Sequence, residues 1–200
     1  HDHLVYAKSL GWADVNNAKK VNNHMLFRIA SISKTITAIA TLKMIQQHHL
    51  RFNDHVFRIL KTITPLPTLK RRPAARNITV RMLLNMTSGW NGWGTHAFDP
   101  MFGNWPHRYA PMAATTDARL ALSLPLYNKP GRKFHYANIN YCLLGLLIDK
   151  REHKPFDYHG YEQYVERNVL HPLGIYNMKI GTANYDQRDP HEALYYPSRF

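Results

Sequence analysis

Phe27-Arg28-Ile29-Ala30-Ser31-Ile32-Ser33-Lys34-Thr35 is the stretch from which the rest of this 200-residue chain is best read. It opens into apolar residues at Ile32, Ile36, Ile39, Ala40, Leu42 and Met44 or Ile45, with no Pro or Gly over residues 30–49, and this spacing predicts a helix. Ser31 and Lys34 lie three apart at its start, so one helical turn brings the amine to the Ser31 hydroxyl while Ser33 points elsewhere. Ser31 is therefore the better candidate for a nucleophile. A helix start offers unpaired N–H groups and the positive end of the dipole, both of which favour a developing oxyanion. A lysine buried there also loses its proton more readily, and the neutral amine can act as a base. The same four residues fit a plain helix start as well, with Ser31 as N-cap and Lys34 as a solvated side chain.

Composition narrows the classes. A chain that is 44% hydrophobic and 12% aromatic has enough apolar surface to build a core, which argues against disorder. The single cysteine, Cys142, excludes a disulfide-stapled scaffold and a zinc finger, and beside Leu143 in an apolar segment it reads as a buried, inert thiol. The longest apolar run, residues 143–148, is far short of the roughly 20 residues that a membrane-spanning helix needs. Twenty-six Lys and Arg against 13 Asp and Glu give a net charge of +13. The cations are spread thinly except at Lys70, Arg71, Arg72 and Arg76, so no specific nucleic-acid site is expected, only weak affinity for anionic surfaces. His48-His49, Asp54-His55 and the terminal His1-Asp2-His3 form no compact ligand set, and neither metal nor cofactor is expected. The residues from His1 onward show no basic n-region or apolar h-region, so any targeting segment is expected to have been removed or not included.

Along the chain, residues 4–11 read as a short strand and Asn16-Asn17 as the turn of a hairpin. Residues 62–77, with Pro65, Pro67, Pro73 and the basic cluster, read as a linker between residues 1–61, a partial sheet region with the Ser31 helix, and residues 78–200, a mostly helical region. Thr79 caps a short helix through Leu83 and Leu84 that stops at Gly89. Trp90, Trp93, Phe98, Phe102, Trp105 and Tyr109 follow in a Gly- and Pro-bearing loop that either walls a cleft or packs a small core of its own. Pro130-Gly131 makes a turn ahead of residues 134–148, and a last helix over residues 161–170 is halted by Pro172 and Gly174.

The stretch around Ser31-Ile32-Ser33-Lys34 resembles the signature of the serine beta-lactamase and penicillin-binding-protein superfamily. Ile78-Thr79-Val80-Arg81-Met82-Leu83-Leu84-Asn85-Met86-Thr87-Ser88-Gly89 is similar to a helix-and-turn block of its class C and esterase-like branch, where a His commonly stands at the Met86 position. Tyr136-Ala137-Asn138, after Pro130-Gly131, resembles the second catalytic block, Tyr-x-Asn, and His171-Pro172-Leu173-Gly174 is similar to the segment that follows. The resemblance implies an α/β (α+β) fold, an antiparallel sheet flanked by helices plus a mostly helical region carrying Tyr136. It also implies that Ser31 forms an acyl-enzyme, that Lys34 shares or accepts its proton, that Tyr136 shuttles a proton to the leaving group, and that Asn138 holds Lys34 and the substrate amide. Read without the other blocks, Tyr136 is simply a packed, hydrogen-bonded aromatic.

Two departures bear on activity. Neither a Ser-Asp-Asn triplet nor a Glu-x-x-Leu-Asn loop is present, which disfavours the class A arrangement. The third block of the superfamily, Lys or His followed by Thr or Ser and Gly, is also absent, and Thr87-Ser88-Gly89 stands in the wrong place to replace it. The expectation is thus a serine hydrolase acting on a small ester, a D-alanyl peptide or a beta-lactam, of which this chain is a portion. The alternative is a catalytically inactive binding or assembly protein that keeps the fold. Composition leaves the compartment open, and for a bacterial chain the resemblance implies the periplasm or cell envelope.

Overall fold

The computed structural model describes residues 3–66, 73–92, 114–123, 125–182 and 185–196. The chain divides into two compact units, one formed by His1–Ala30 with Met178–Phe200 and the other by Ser31–Asn177. Of the expected features, Lys70, Arg71 and Arg72 in the 62–77 linker and Trp93, Phe98, Phe102, Trp105 and Tyr109 lie outside the described residues.

In the first unit, strands β1 (Trp12–Asp14) and β2 (Lys19–Lys20) pair antiparallel. The turn joining them is the one Asn16-Asn17 predicts. Asp14 accepts from the backbone N–H of Asn17 at 3.1 Å and from its side-chain amide at 2.8 Å, so the carboxylate replaces backbone partners that a tight turn leaves open. The strand itself starts later than expected. Residues 4–11 form none, and Leu4, Val5 and Tyr6 are exposed. Apolar residues become a strand only where a neighbouring strand takes their N–H and C=O groups and a packed face buries them. Ala13 does have such a neighbour: its carbonyl accepts from the Leu194 N–H at 2.8 Å, while Leu26 exchanges bonds with residues 191 and 193. Arg28 pairs with the nearly buried carboxylate of Glu192 at 2.6 Å, which ties down the chain three residues ahead of Ser31.

The second unit is helical, with α1 (Ser33–Gln46), α2 (Val56–Ile59), α3 (Val80–Leu84), α4 (Ala114–Ser123), α5 (Ile139–Arg151) and α6 (His159–Val165). The centre is α5, whose residues from Leu143 to Asp149 are all buried, and which packs against α1, α2, α3, α4 and α6. A helix apolar all round has no solvent side to prefer, so it sits in the middle. Cys142 is only partly buried, not sealed in the core as expected, because it lies just ahead of that buried run.

Helix α1 begins from a 3-10 turn at Ala30–Ile32, as its spacing predicts, yet its buried stripe is Thr37, Ala40, Thr41 and Met44, while Ile32, Ile39 and Leu42 are exposed. The two threonines are buried without loss because each hydroxyl bonds back to the carbonyl four residues earlier, at 3.1 Å for Thr37 and 2.8 Å for Thr41. Thr79 caps α3, accepting from the Met82 N–H at 3.4 Å, but the helix ends at Leu84, short of Gly89. The final helix starts at His159, passes into a π-helical stretch at Glu166–Leu170 and closes in a 3-10 turn at His171–Leu173, with Gly174 at φ +73°. Among the described residues, no helix is long and apolar enough to cross a membrane.

Candidate active site

Three sequence-predicted residues converge. The Lys34 Nζ donates to the Ser31 hydroxyl at 3.0 Å, and the Ser31 Oγ lies 2.5 Å from the Tyr136 phenol, with either hydroxyl able to donate. The Lys34 Nζ also stands 4.9 Å from the centre of the Tyr136 ring, close enough for a cation to be drawn to an aromatic face. Ser31 is exposed, whereas Lys34 and Tyr136 are half-buried. The plain reading of Ser31 as N-cap does not hold, since Ile32 occupies that position and no side chain caps α1. Ala30, just before Ser31, has φ +44°, a left-handed conformation that costs a residue with a Cβ and persists only when its surroundings impose it.

Tyr136 reaches Ser31 from 105 residues away because residues 86–92 and 127–136 are laced together. Met86 accepts from the His135 N–H at 2.9 Å, Thr87 accepts from Gly131 at 2.7 Å, and the Gly89 carbonyl accepts from Tyr127 and Asn128 at 2.8 and 3.1 Å. The Gly92 N–H then donates to the Tyr136 carbonyl at 3.0 Å. Glycine is required at position 89: φ is +100°, and a Cβ there would stand 2.3 Å from the Asn128 carbonyl oxygen. Met86 occupies the position where the resemblance places a His, and its Sδ accepts from the buried Asn140 amide at 3.1 Å.

Asn138 is buried two residues beyond Tyr136, at the N-cap of α5, where its side chain makes no capping bond. Its backbone carbonyl instead accepts from Tyr141 and Cys142 at 2.9 and 3.2 Å and starts the helix. Tyr141 sends its hydroxyl to the Leu84 carbonyl at 3.1 Å, and burial, with a smaller contribution from Tyr136, pushes its phenol up.

The sequence reading missed the support beneath α1. The Thr37 hydroxyl lies 2.8 Å from the Tyr161 phenol, and the Tyr161 N–H donates to the buried Asp149 carboxylate at 2.7 Å. Asp149 also accepts from the Tyr158 N–H at 2.9 Å, so one carboxylate satisfies two N–H groups where α6 begins. The only signal for this was an Asp directly after the apolar run at 143–148. Burial raises the phenols of Tyr158 and Tyr161, which keeps both in the neutral, donating form. Among the described residues, no group of three or more His, Cys, Asp or Glu side chains is placed to hold a metal ion.

The family model for Beta-lactamase matches residues 1–199. Protein flp of Staphylococcus aureus (strain MW2) is 30% identical over 191 residues, covering 94% of this chain and 34% of its own length. Among solved structures, a penicillin-binding protein from Bacillus halodurans superposes with a TM-score of 0.72 at 25% identity, over 96% of this chain and 53% of that one. EstCE1, a hydrolase with promiscuous acyltransferase activity, gives 0.68 at 26% identity, over 94% of this chain and 47% of that one. The chain thus spans about a third of the length of that curated relative. The mixed α/β architecture, helices with a small sheet, is the one these proteins share.

Proposed function

The chain belongs to the Beta-lactamase family, whose members are serine hydrolases, and on that premise we propose that Ser31 is the nucleophile of an acyl transfer to water. The observation that carries this reading is the convergence of the Ser31 hydroxyl, the Lys34 amine and the Tyr136 phenol within 3.0 Å of the Ser31 oxygen. In the reaction, Oγ bonds to the acyl carbon while its proton passes to the Lys34 and Tyr136 pair. The same pair delivers that proton to the leaving group as the tetrahedral intermediate collapses to an acyl-enzyme, and water then releases the acid. The Ser31 N–H, in the turn that opens α1, is this chain's donor to the oxyanion. Asn138, beside Tyr136, orients the lysine and a substrate amide.

The substrate class is a small ester or D-alanyl peptide in preference to a beta-lactam. Similarity to both a hydrolase with promiscuous acyltransferase activity and a penicillin-binding protein supports this breadth. A second reading is a non-catalytic binding protein that keeps the fold, and it differs from the first in leaving Ser31 unacylated.

Rapid mixing with p-nitrophenyl butyrate distinguishes the two. Hydrolysis through an acyl-enzyme gives an initial burst of p-nitrophenol that scales with the chain concentration. Tyr136→Phe, which keeps the ring and removes the proton shuttle, should slow that burst by about 100-fold or more. A burst unchanged in Ser31→Ala refutes the assignment, and no burst together with tight binding of a D-alanyl peptide supports the binding protein.

A further inference from the structure

A cavity of about 520 Å³ opens in the helical unit, walled by α2, the chain that follows it, the 3-10 turn Pro73–Asn77, and α4. Its floor is apolar, made by Phe57, Ile63 and Leu122, and its rim carries three cations, Arg58, Lys61 and Arg76. The volume falls in the range of small-molecule sites. Among the described residues, none that line it belongs to the Ser31 group and none is a carboxylate.

The charge arrangement is what singles out this cavity. Elsewhere among the described residues, Arg28, Arg151, Arg167 and Lys179 each stand beside a carboxylate. Arg58, Lys61 and Arg76, like most other Lys and Arg among the described residues, form no ion pair, and what sets them apart is that all three are exposed and line one opening. A fourth cation, Arg119, is held at the edge by its bond to the Thr64 carbonyl at 3.1 Å. Like charges gathered around a concave, partly apolar surface raise the positive potential inside it, and an entering anion relieves that repulsion. The apolar floor adds a requirement of its own, because a bare anion leaves Phe57, Ile63 and Leu122 facing water.

We propose that this cavity binds a small amphipathic anion, a phosphate or carboxylate head held by Arg58, Lys61 and Arg76 with an apolar body on Phe57, Ile63 and Leu122. The site is independent of the acyl-transfer reading, since it shares no residue with it. Arginine suits a planar or tetrahedral oxyanion because its fork donates two parallel bonds.

Isothermal titration of the 200-residue chain with hexyl phosphate, inorganic phosphate and hexanol, at low and at moderate salt, tests this directly. Hexyl phosphate should bind more tightly than inorganic phosphate, hexanol should bind weakly, and the hexyl phosphate affinity should fall with salt. The triple variant Arg58→Ala, Lys61→Ala, Arg76→Ala should weaken hexyl phosphate by about tenfold or more. A control variant, Lys8→Ala, Lys19→Ala, Lys20→Ala, removes the same charge from the other unit and should leave binding intact. Equal losses in the two triple variants would reduce the effect to net charge and overturn the site. Inorganic phosphate binding as tightly as hexyl phosphate would overturn the amphipathic ligand.

Discussion

The separations around Ser31, 2.5 Å to a phenol and 3.0 Å to an amine, are hydrogen-bond distances between groups that packing alone has no reason to bring together. What holds them is a short list of single residues, and Gly89 is the least replaceable. Its φ of +100° and the Asn128 carbonyl oxygen, 2.3 Å from where a Cβ would sit, leave no room for a side chain. Gly89→Ala should cost about 1–3 kcal/mol or more, read as a lower urea midpoint, and should slow acylation because the same turn carries the segment holding Tyr136. An unchanged midpoint would show that the turn does not bind Tyr136 to its place. The Ser31 and Lys34 pair was legible from spacing alone, because three residues on a helix are one turn. Tyr136 was not, since its partner lies 105 residues away and only the resemblance connected them.

At the scale of elements, α1 carries Ser31 and Lys34, but its position depends on a chain of bonds running through α6 to α5: Thr37 to Tyr161, and Tyr161 to Asp149. Burial pushes the Asp149 carboxyl above its ordinary range, against the two N–H bonds from Tyr161 and Tyr158, which pull it down. A folded-state pKa above the unfolded one means that the native chain holds the proton more tightly. This contribution to stability is therefore complete below about pH 4 and is lost as pH rises through the folded value. Asp149→Asn should remove that pH dependence, visible as convergence of the two stability curves when urea unfolding is followed from about pH 4 to 7. Asp149→Ala leaves two buried N–H groups without an acceptor and should cost about 1–3 kcal/mol or more. Curves that stay parallel across this range would place the carboxylate outside the folding equilibrium. The elements that periodicity and capping marked, α1, α3 behind Thr79 and the hairpin turn at Asn16-Asn17, are in the structure. The strand expected at 4–11 is not, because the apolar pattern of a strand says nothing about whether a partner strand is there to pair with it.

For the whole molecule, the fold was legible because three motif blocks stood in family order across most of the chain, and that order survives the weak hydrophobic stripe of α1, where Thr37 and Thr41 face inward and Ile39 and Leu42 outward. Charge was harder to read. A net +13 is a bulk property, and it took the structure to show that Arg58, Lys61 and Arg76 meet at one cavity. The central claim concerns Ser31 and is tested most directly by intact-mass spectrometry after incubation with a fluorophosphonate, beside Ser31→Ala and Lys34→Ala. The account predicts one adduct per chain on the wild type, none on Ser31→Ala, and one formed at least about 100-fold more slowly on Lys34→Ala. No adduct on the wild type, or an adduct that persists in Ser31→Ala, would contradict it.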